Sequence, residues 1–325
     1  MPPFPFLNAP DIPTLRPIQP FDPESDCKTL KKAMMGIGTD EKAIIDVLAR
    51  RSIGQRLHIA NIYKTMFGKD LITQLKSELS GNFEDAVVAL LTPPEIYDAM
   101  TSRTAMAGAG TDEATLIEVI CSRSNAELMA LKAAYKFLYK KDLEKDIEGD
   151  TSGFFRKLLL ACLTGQRQEM APVDVGRALI DAKALNEAGP KKWGTDEYTF
   201  ISIFALRSHP QLRETFQQFQ KLTGKDMEGV VRSEMSGDLQ EAFVALVQVV
   251  TNKHMYFAQR LQSSMAGAGT KDIQLIRLIV TRCERDLESL KHSYKTMFNR
   301  TLEQAIASEC SGDYKQLLLA LASQH

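Results

Sequence analysis

Met106-Ala107-Gly108-Ala109-Gly110-Thr111-Asp112-Glu113 decides how this chain is read, because the stretch returns. It recurs as Met34-Met35-Gly36-Ile37-Gly38-Thr39-Asp40-Glu41 and, with one acid lost, as Met265-Ala266-Gly267-Ala268-Gly269-Thr270-Lys271. A rebuilt copy, Gly189-Pro190-Lys191-Lys192-Trp193-Gly194-Thr195-Asp196, stands between them. The four threonines are 72, 84 and 75 residues apart. Counting from each, large apolar residues stand at plus five and plus six: Ile44-Ile45, Leu116-Ile117, Phe200-Ile201 and Leu275-Ile276. An arginine stands at plus twelve (Arg51, Arg123, Arg207, Arg282) and an aromatic at plus twenty-four (Tyr63, Tyr135, Phe219, Tyr294). Agreement at so many offsets makes this an internal repeat of one supersecondary unit.

The apolar spacing inside each copy is helical. Ile44, Ile45, Val47 and Leu48 cover a broad face, as do Leu116, Ile117, Val119 and Ile120, which predicts a helix buried on most sides. The threonine ahead of it reads as an N-cap, and Asp40-Glu41 or Asp112-Glu113 put acids in the first turn, where the helix dipole favours them. Gly-rich and Ser-Gly breaks divide each copy into about five helices. Strand-like alternation is not sustained, so the expected fold is all-α: four homologous five-helix repeats. The expected limits are a proline-rich tail over 1–22, repeats over 23–93 and 94–165, a linker over 166–177, and repeats over 178–252 and 253–325. The linker reads as dividing the chain into two halves. Eight of the thirteen prolines fall in the first 23 residues, so the tail reads as exposed and flexible, with a protein-binding segment as the alternative.

Each copy also carries an acid thirty-nine residues after its threonine: Glu78, Asp150, Glu234 and Glu309. After one intervening residue comes Ser-Gly in every case: Ser80-Gly81, Ser152-Gly153, Ser236-Gly237 and Ser311-Gly312. A glycine turn that presents carbonyls, together with one carboxylate at a fixed distance, suits a hard cation bound by oxygen. Calcium takes six to eight oxygens in flexible geometry, whereas magnesium needs a stricter octahedron. One charged ligand per site predicts weak binding with coordination positions left for an outside oxygen, such as a lipid phosphate.

Composition narrows the partners. The 325 residues carry 40 basic and 41 acidic side chains, so attraction to nucleic acid or anionic lipid through net charge is not expected. Bound calcium would supply the missing positive charge. The five cysteines are scattered and never form a C-x-x-C pair, which suits a reducing compartment and excludes a disulfide frame. No bilayer-spanning apolar run or secretory signal is visible, so the expected location is cytoplasmic and peripheral on membranes when calcium rises; unconventional secretion stays open. The five histidines lack a repeated acid or nucleophile beside them and no phosphate-loop or dinucleotide fingerprint appears, so the chain is not expected to be an enzyme.

The repeated Met-x-Gly-x-Gly-Thr with its acid thirty-nine residues on resembles the annexin family over everything after the tail. The resemblance implies a curved disc of four repeats that binds anionic phospholipid reversibly through calcium. It implies ligand sets of Met34, Gly36 and Gly38 with Glu78; Met106, Gly108 and Gly110 with Asp150; Gly189, Lys192 and Gly194 with Glu234; and Met265, Gly267 and Gly269 with Glu309. A weaker secondary position around Thr39 and Glu41, repeated at Glu113 and Glu197, is also expected. Two departures count. The third loop replaces Met-x-Gly, and Lys271 stands where an acid is usual, which is expected to weaken the fourth site. Ile37 and Trp193, at loop tips, are expected to touch the membrane. The resemblance also places Asp98, Glu118, Arg123 and Arg277 near a hydrophilic central axis. Two other readings are open: a calcium-independent helical scaffold for protein partners, and calcium-regulated ion conduction along that axis. Self-association on membranes is left open.

Overall fold

The computed structural model describes residues 10–108, 110–189, 194–267 and 269–323, and over these it is helical without a strand. The first repeat contains α1 (Pro23–Ala33), α2 (Glu41–Leu48), α3 (Ile53–Phe67), α4 (Leu71–Glu78) and α5 (Gly81–Leu90). The second contains α6 (Pro94–Ala105), α7 (Glu113–Ser122), α8 (Asn125–Tyr139), α9 (Leu143–Asp150) and α10 (Gly153–Leu163). The third contains α11 (Val175–Ala188), α12 (Glu197–Leu206), α13 (His209–Thr223), α14 (Met227–Glu234) and the first part of α15 (Gly237–Met265). Helix α15 breaks at Asn252, whose backbone is non-helical (φ −158°, ψ 88°). Its second part opens the fourth repeat, which continues with α16 (Asp272–Arg282), α17 (Leu287–Phe298), α18 (Leu302–Glu309) and α19 (Gly312–Ala322).

Burial follows the sequence pattern. Ile44, Ile45, Val47 and Leu48, and likewise Leu116, Ile117, Val119 and Ile120, are all buried, so α2 and α7 are enclosed on most sides as expected. The repeated aromatics Tyr63, Tyr135, Phe219 and Tyr294 are fully buried, and the Tyr63 hydroxyl donates to Gln74 Oε1 at 2.7 Å, which satisfies its one polar atom. All five cysteines are free and buried.

The helices gather into two compact units: Glu95–Lys253, and residues 10–94 with 254–323. In the first, α10 packs on α12; in the second, α5 packs on α16 and α19. The linker therefore does not divide the chain into halves. It lies inside the first unit, because its polar groups bond both neighbouring repeats. The Gln168 N–H donates to the Leu206 carbonyl at 2.8 Å, and Asn125 Nδ2 donates to the Arg167 carbonyl at 2.7 Å.

Of the flexible tail expected over 1–22, residues 1–9 lie outside the described residues, and residues 10–20 are bonded to the second unit. Proline removes N–H groups, but the residues between the prolines still donate. The Thr14 and Leu15 N–H groups both bond the Cys283 carbonyl (2.9 and 3.0 Å), and the Thr14 hydroxyl donates to the Leu321 carbonyl at 2.6 Å. Both residues are buried. Ile18 exchanges two bonds with the Gln55 side chain, so one strand of chain straps the fourth repeat to the first. Asp11 meets His254 Nε2 at 2.8 Å, in a cluster that also holds Asp286. Thr14→Val keeps the shape and removes the buried hydroxyl, so it should lower unfolding stability by about 1–2 kcal/mol. Urea denaturation followed by circular dichroism checks this; an unchanged midpoint would show that the strap contributes nothing.

Candidate functional site

The repeated arginines explain what holds each glycine loop over its core. Arg51 donates Nε and Nη2 to both oxygens of Asp26 at 2.7 Å each. Arg123 does the same to Asp98 (2.7 and 2.8 Å) and Arg207 to Asp181 (2.7 and 3.3 Å). In three repeats a two-pronged ion pair thus ties the end of the second helix to the first helix. The fourth repeat has Phe257 twenty-five residues before its arginine. There Arg282 lies over the Phe257 ring at 4.0 Å and pairs with Asp286 instead. Asp98 and Arg123 are therefore members of a recurring structural pair. Glu118 is buried in the same unit, on α7, and Arg277 is buried in the other unit, on α16.

With the first two helices clamped, the loop between them is closed by one backbone bond in every repeat. Asp40 N–H donates to the Ala33 carbonyl at 2.9 Å, Asp112 to Ala105 at 2.7 Å, Asp196 to Ala188 at 2.7 Å and Lys271 to Ser264 at 2.8 Å. The span is one residue longer in the third loop. Met34, Met106 and Met265 are buried and anchor their loops, whereas Met35 (64% exposed) and Ile37 (109%) stand out into solvent. Gly36, Gly38, Gly108, Gly110, Gly267 and Gly269 all have φ between 86° and 109°, which other residues rarely adopt. A Cβ at any of them would meet nothing within 4 Å, so the loop surface is open.

The threonine does not cap the helix. The helix begins one residue later than the sequence suggested, so the aspartate is the N-cap: Asp40 accepts from Ala43 N–H, Asp112 from Thr115 N–H and Asp196 from Thr199 N–H. The freed hydroxyl reaches the acid thirty-nine residues on. Thr111 Oγ1 donates to the Asp150 carbonyl at 3.2 Å, Thr195 to the Glu234 carbonyl at 3.0 Å and Thr270 to the Glu309 carbonyl at 3.4 Å. The two separate sequence elements are thereby stitched together in three repeats. In the third, a Cβ on Gly189 would lie 3.5 Å from Glu234 Cγ, so both ends of that site adjoin. In the first, Glu41 and Glu78 line one open cleft of about 330 Å³ with Asn82 and Asp313. A matching cleft of about 480 Å³ holds Glu113, Asp150, Arg156 and Asp238.

Glu78, Asp150, Glu234 and Glu309 each end a helix (α4, α9, α14 and α18) and are exposed or half-buried. Lys192 and Trp193 lie outside the described residues. A glycine backbone at positive φ with open space above it, and an acid held nearby through its own backbone carbonyl, suits the oxygen-rich, weakly charged environment that calcium takes. In the fourth repeat, α16 has no side-chain cap bond, because Lys271 places an ammonium where the other three repeats have a carboxylate. Lys271→Asp should restore the cap and raise stability by about 1 kcal/mol. A melting temperature unchanged or lowered in calcium-free buffer would contradict that assignment.

A family model described as Annexin matches four times, over residues 25–90, 97–162, 180–246 and 256–321. The chain belongs to the annexin family. Annexin A13 of Homo sapiens is 47% identical over 303 residues, covering 93% of this chain and 96% of that one. Annexin B10 of Drosophila melanogaster is 45% identical over 312 residues, covering 95% and 97%. Among solved structures, annexin III superposes with a TM-score of 0.94 at 40% identity, covering 97% of this chain and 98% of that one. A calcium-bound annexin (Sm)1 does so with a TM-score of 0.89 at 30% identity, covering 96% and 93%.

Two functional features of this annexin escaped the sequence reading. The threonine hydroxyl was assigned to capping because Thr and Asp are both good caps and stand side by side. The spacing also carries the arginine pairing: Asp26, Asp98 and Asp181 stand 25, 25 and 26 residues ahead of their arginines, a recurrence that the central-axis expectation for Asp98 and Arg123 does not use.

Proposed function

We propose that this annexin docks reversibly on anionic phospholipid surfaces through calcium held by its four loop-and-acid pairs. The ligands are the carbonyls of Met34, Gly36 and Gly38 with Glu78; of Met106, Gly108 and Gly110 with Asp150; of Gly189, Lys192 and Gly194 with Glu234; and of Met265, Gly267 and Gly269 with Glu309. Thr39 and Glu41 offer the secondary position. The observation that supports this reading is the threonine-to-acid bond of three repeats, which holds Asp150, Glu234 and Glu309 beside their glycine loops.

Each bound ion supplies two positive charges and open coordination positions for a phosphate oxygen. The chain's own groups do the rest. The glycine backbone leaves the loop surface bare, the buried methionine fixes its position, and Ile37 and Met35 present apolar surface for the lipid boundary. With a net charge of −1, the protein has no net attraction of its own for an anionic surface, which makes docking conditional on calcium. Among the described residues no helix is long and apolar enough to cross a membrane. Five free cysteines fit a reducing, cytoplasmic setting.

The protein should sediment with phosphatidylserine vesicles in calcium and return to the supernatant when a chelator is added. Sedimentation that ignores calcium, or none at any calcium level, would sink the proposal.

A further inference from the structure

The first unit carries a set of cations that the calcium loops do not use. Helix α12 starts beside the third loop and ends at Leu206, and ten residues of helix put about 15 Å between its two ends. At the far end, Arg167 of the linker donates Nη1 to the carbonyls of Phe204 (2.9 Å) and Arg207 (2.6 Å). His209 opens α13 just beyond, behind the cap Ser208. Arg213 stands one turn further on the same face of α13 and donates Nη1 to the Val250 carbonyl at 3.1 Å, three residues before Lys253.

These groups differ from the arginines of the recurring pairs. Arg51, Arg123, Arg207 and Arg282 each grip an aspartate, whereas Arg167 and Arg213 are half-buried, bond only carbonyls and have no carboxylate partner among the described residues. His209 Nε2 is buried with no hydrogen-bond partner. Burial first, then the charges of Arg167, Arg213 and Lys253, push the His209 imidazole down to about 3. Burial likewise lowers Arg213. Buried polar atoms are normally paired and half-buried charges normally compensated, so one missing group would satisfy Arg167, His209 and Arg213 together. It must be an anion. It must offer several acceptor oxygens to two guanidinium forks, and the N-terminus of α13 favours the same sign.

We propose that Arg167, His209 and Arg213, with Lys253 alongside, bind a small phosphorylated or sulphated molecule at the end of α12 remote from the third calcium loop. A soluble ester and a phosphoinositide headgroup share this chemistry. The separation along α12 assigns the site to the soluble one, because a membrane meeting the loops lies at the other end of that helix.

The test uses the whole chain in calcium-free buffer, so it is independent of membrane docking. Sodium sulfate and then inositol hexakisphosphate are titrated at constant ionic strength while the His209 imidazole resonance is followed by NMR, assigned with His209→Gln. The expected result is a saturable shift toward the protonated ring, because a bound anion offsets the neighbouring cations that add to burial in keeping it neutral. Arg213→Gln should weaken binding by about tenfold or more, Arg213→Lys should recover much of it, and Arg213→Gln should sediment with vesicles in calcium as the parent does. A shift that never saturates, or an Arg213→Gln protein that titrates like the parent, would overturn the site. A resonance that moves only with calcium and vesicles bearing phosphatidylinositol bisphosphate would overturn the soluble ligand.

Discussion

Replacing Asp98 by alanine should cost the unit that contains it about 3–5 kcal/mol of unfolding stability, the largest loss expected from any one side chain away from the calcium loops. Arg123 and Asp98 are about 95% buried, and the guanidinium uses two N–H groups on the two carboxylate oxygens. Burial opposes the Arg123 charge, yet the Asp98 carboxylate outweighs it and holds the guanidinium pKa above its ordinary value. Removing the acid leaves a charge that cannot reach water and cannot lose its proton. Removing both partners is different, because two apolar side chains of similar volume need no compensation. Asp98→Leu with Arg123→Met should therefore recover most of the loss. The fourth repeat supports this, since it replaces the acid by Phe257 and neutralises its arginine elsewhere. Asp26→Ala should cost less, because the Arg51 side chain is 15% exposed against 4% for Arg123. Urea denaturation of the single and double variants decides the matter. A loss below about 1 kcal/mol for Asp98→Ala would remove the pair from the structural framework.

How much of this could be read from the sequence depends on the range of the interaction. The buried faces of α2 and α7 were legible because a helix repeats its face every turn, and four copies showed the same positions. The acids Glu78 to Glu309 were legible for the same reason: a fixed offset survives even when the connecting chain is unknown. The Thr–Asp ambiguity was not, because either residue can cap a helix and only the backbone angles show which one leaves the helical region. The course of residues 10–20 was hidden as well. Prolines report where a helix cannot form, but not that Thr14 will find carbonyls on Cys283 and Leu321, some three hundred residues away. The linker misled for a related reason. A stretch of Gln, Glu and Pro reads as solvent-exposed, and nothing local shows that Arg167 will fold back onto the carbonyls of α12.

Asp150→Asn should raise the calcium needed for half-maximal vesicle binding about tenfold while leaving the fold intact. The substitution keeps the side chain's size. The bond that holds the loop to this residue runs from Thr111 Oγ1 to the backbone carbonyl of residue 150, which any residue supplies. What changes is the one formal charge in the proposed ligand set and its ability to grip an ion with two oxygens. Glu78→Gln should act alike in the first repeat. Glu309→Gln should act least, since Lys271 already places an ammonium at that loop where the other three repeats have a carboxylate. Thr111→Val separates position from charge: it breaks the tether but keeps the carboxylate, so its effect should fall short of that of Asp150→Asn. The ordering is the discriminating result, measured by vesicle sedimentation over a calcium series with circular dichroism on each variant. If Asp150→Asn left the calcium requirement unchanged in a natively folded protein, the acids would be surface carboxylates near a turn and the ligand sets would have to be abandoned. If Glu309→Gln proved the most damaging, the four loops would still bind calcium, but the cation at Lys271 would not be the weakness assigned to it.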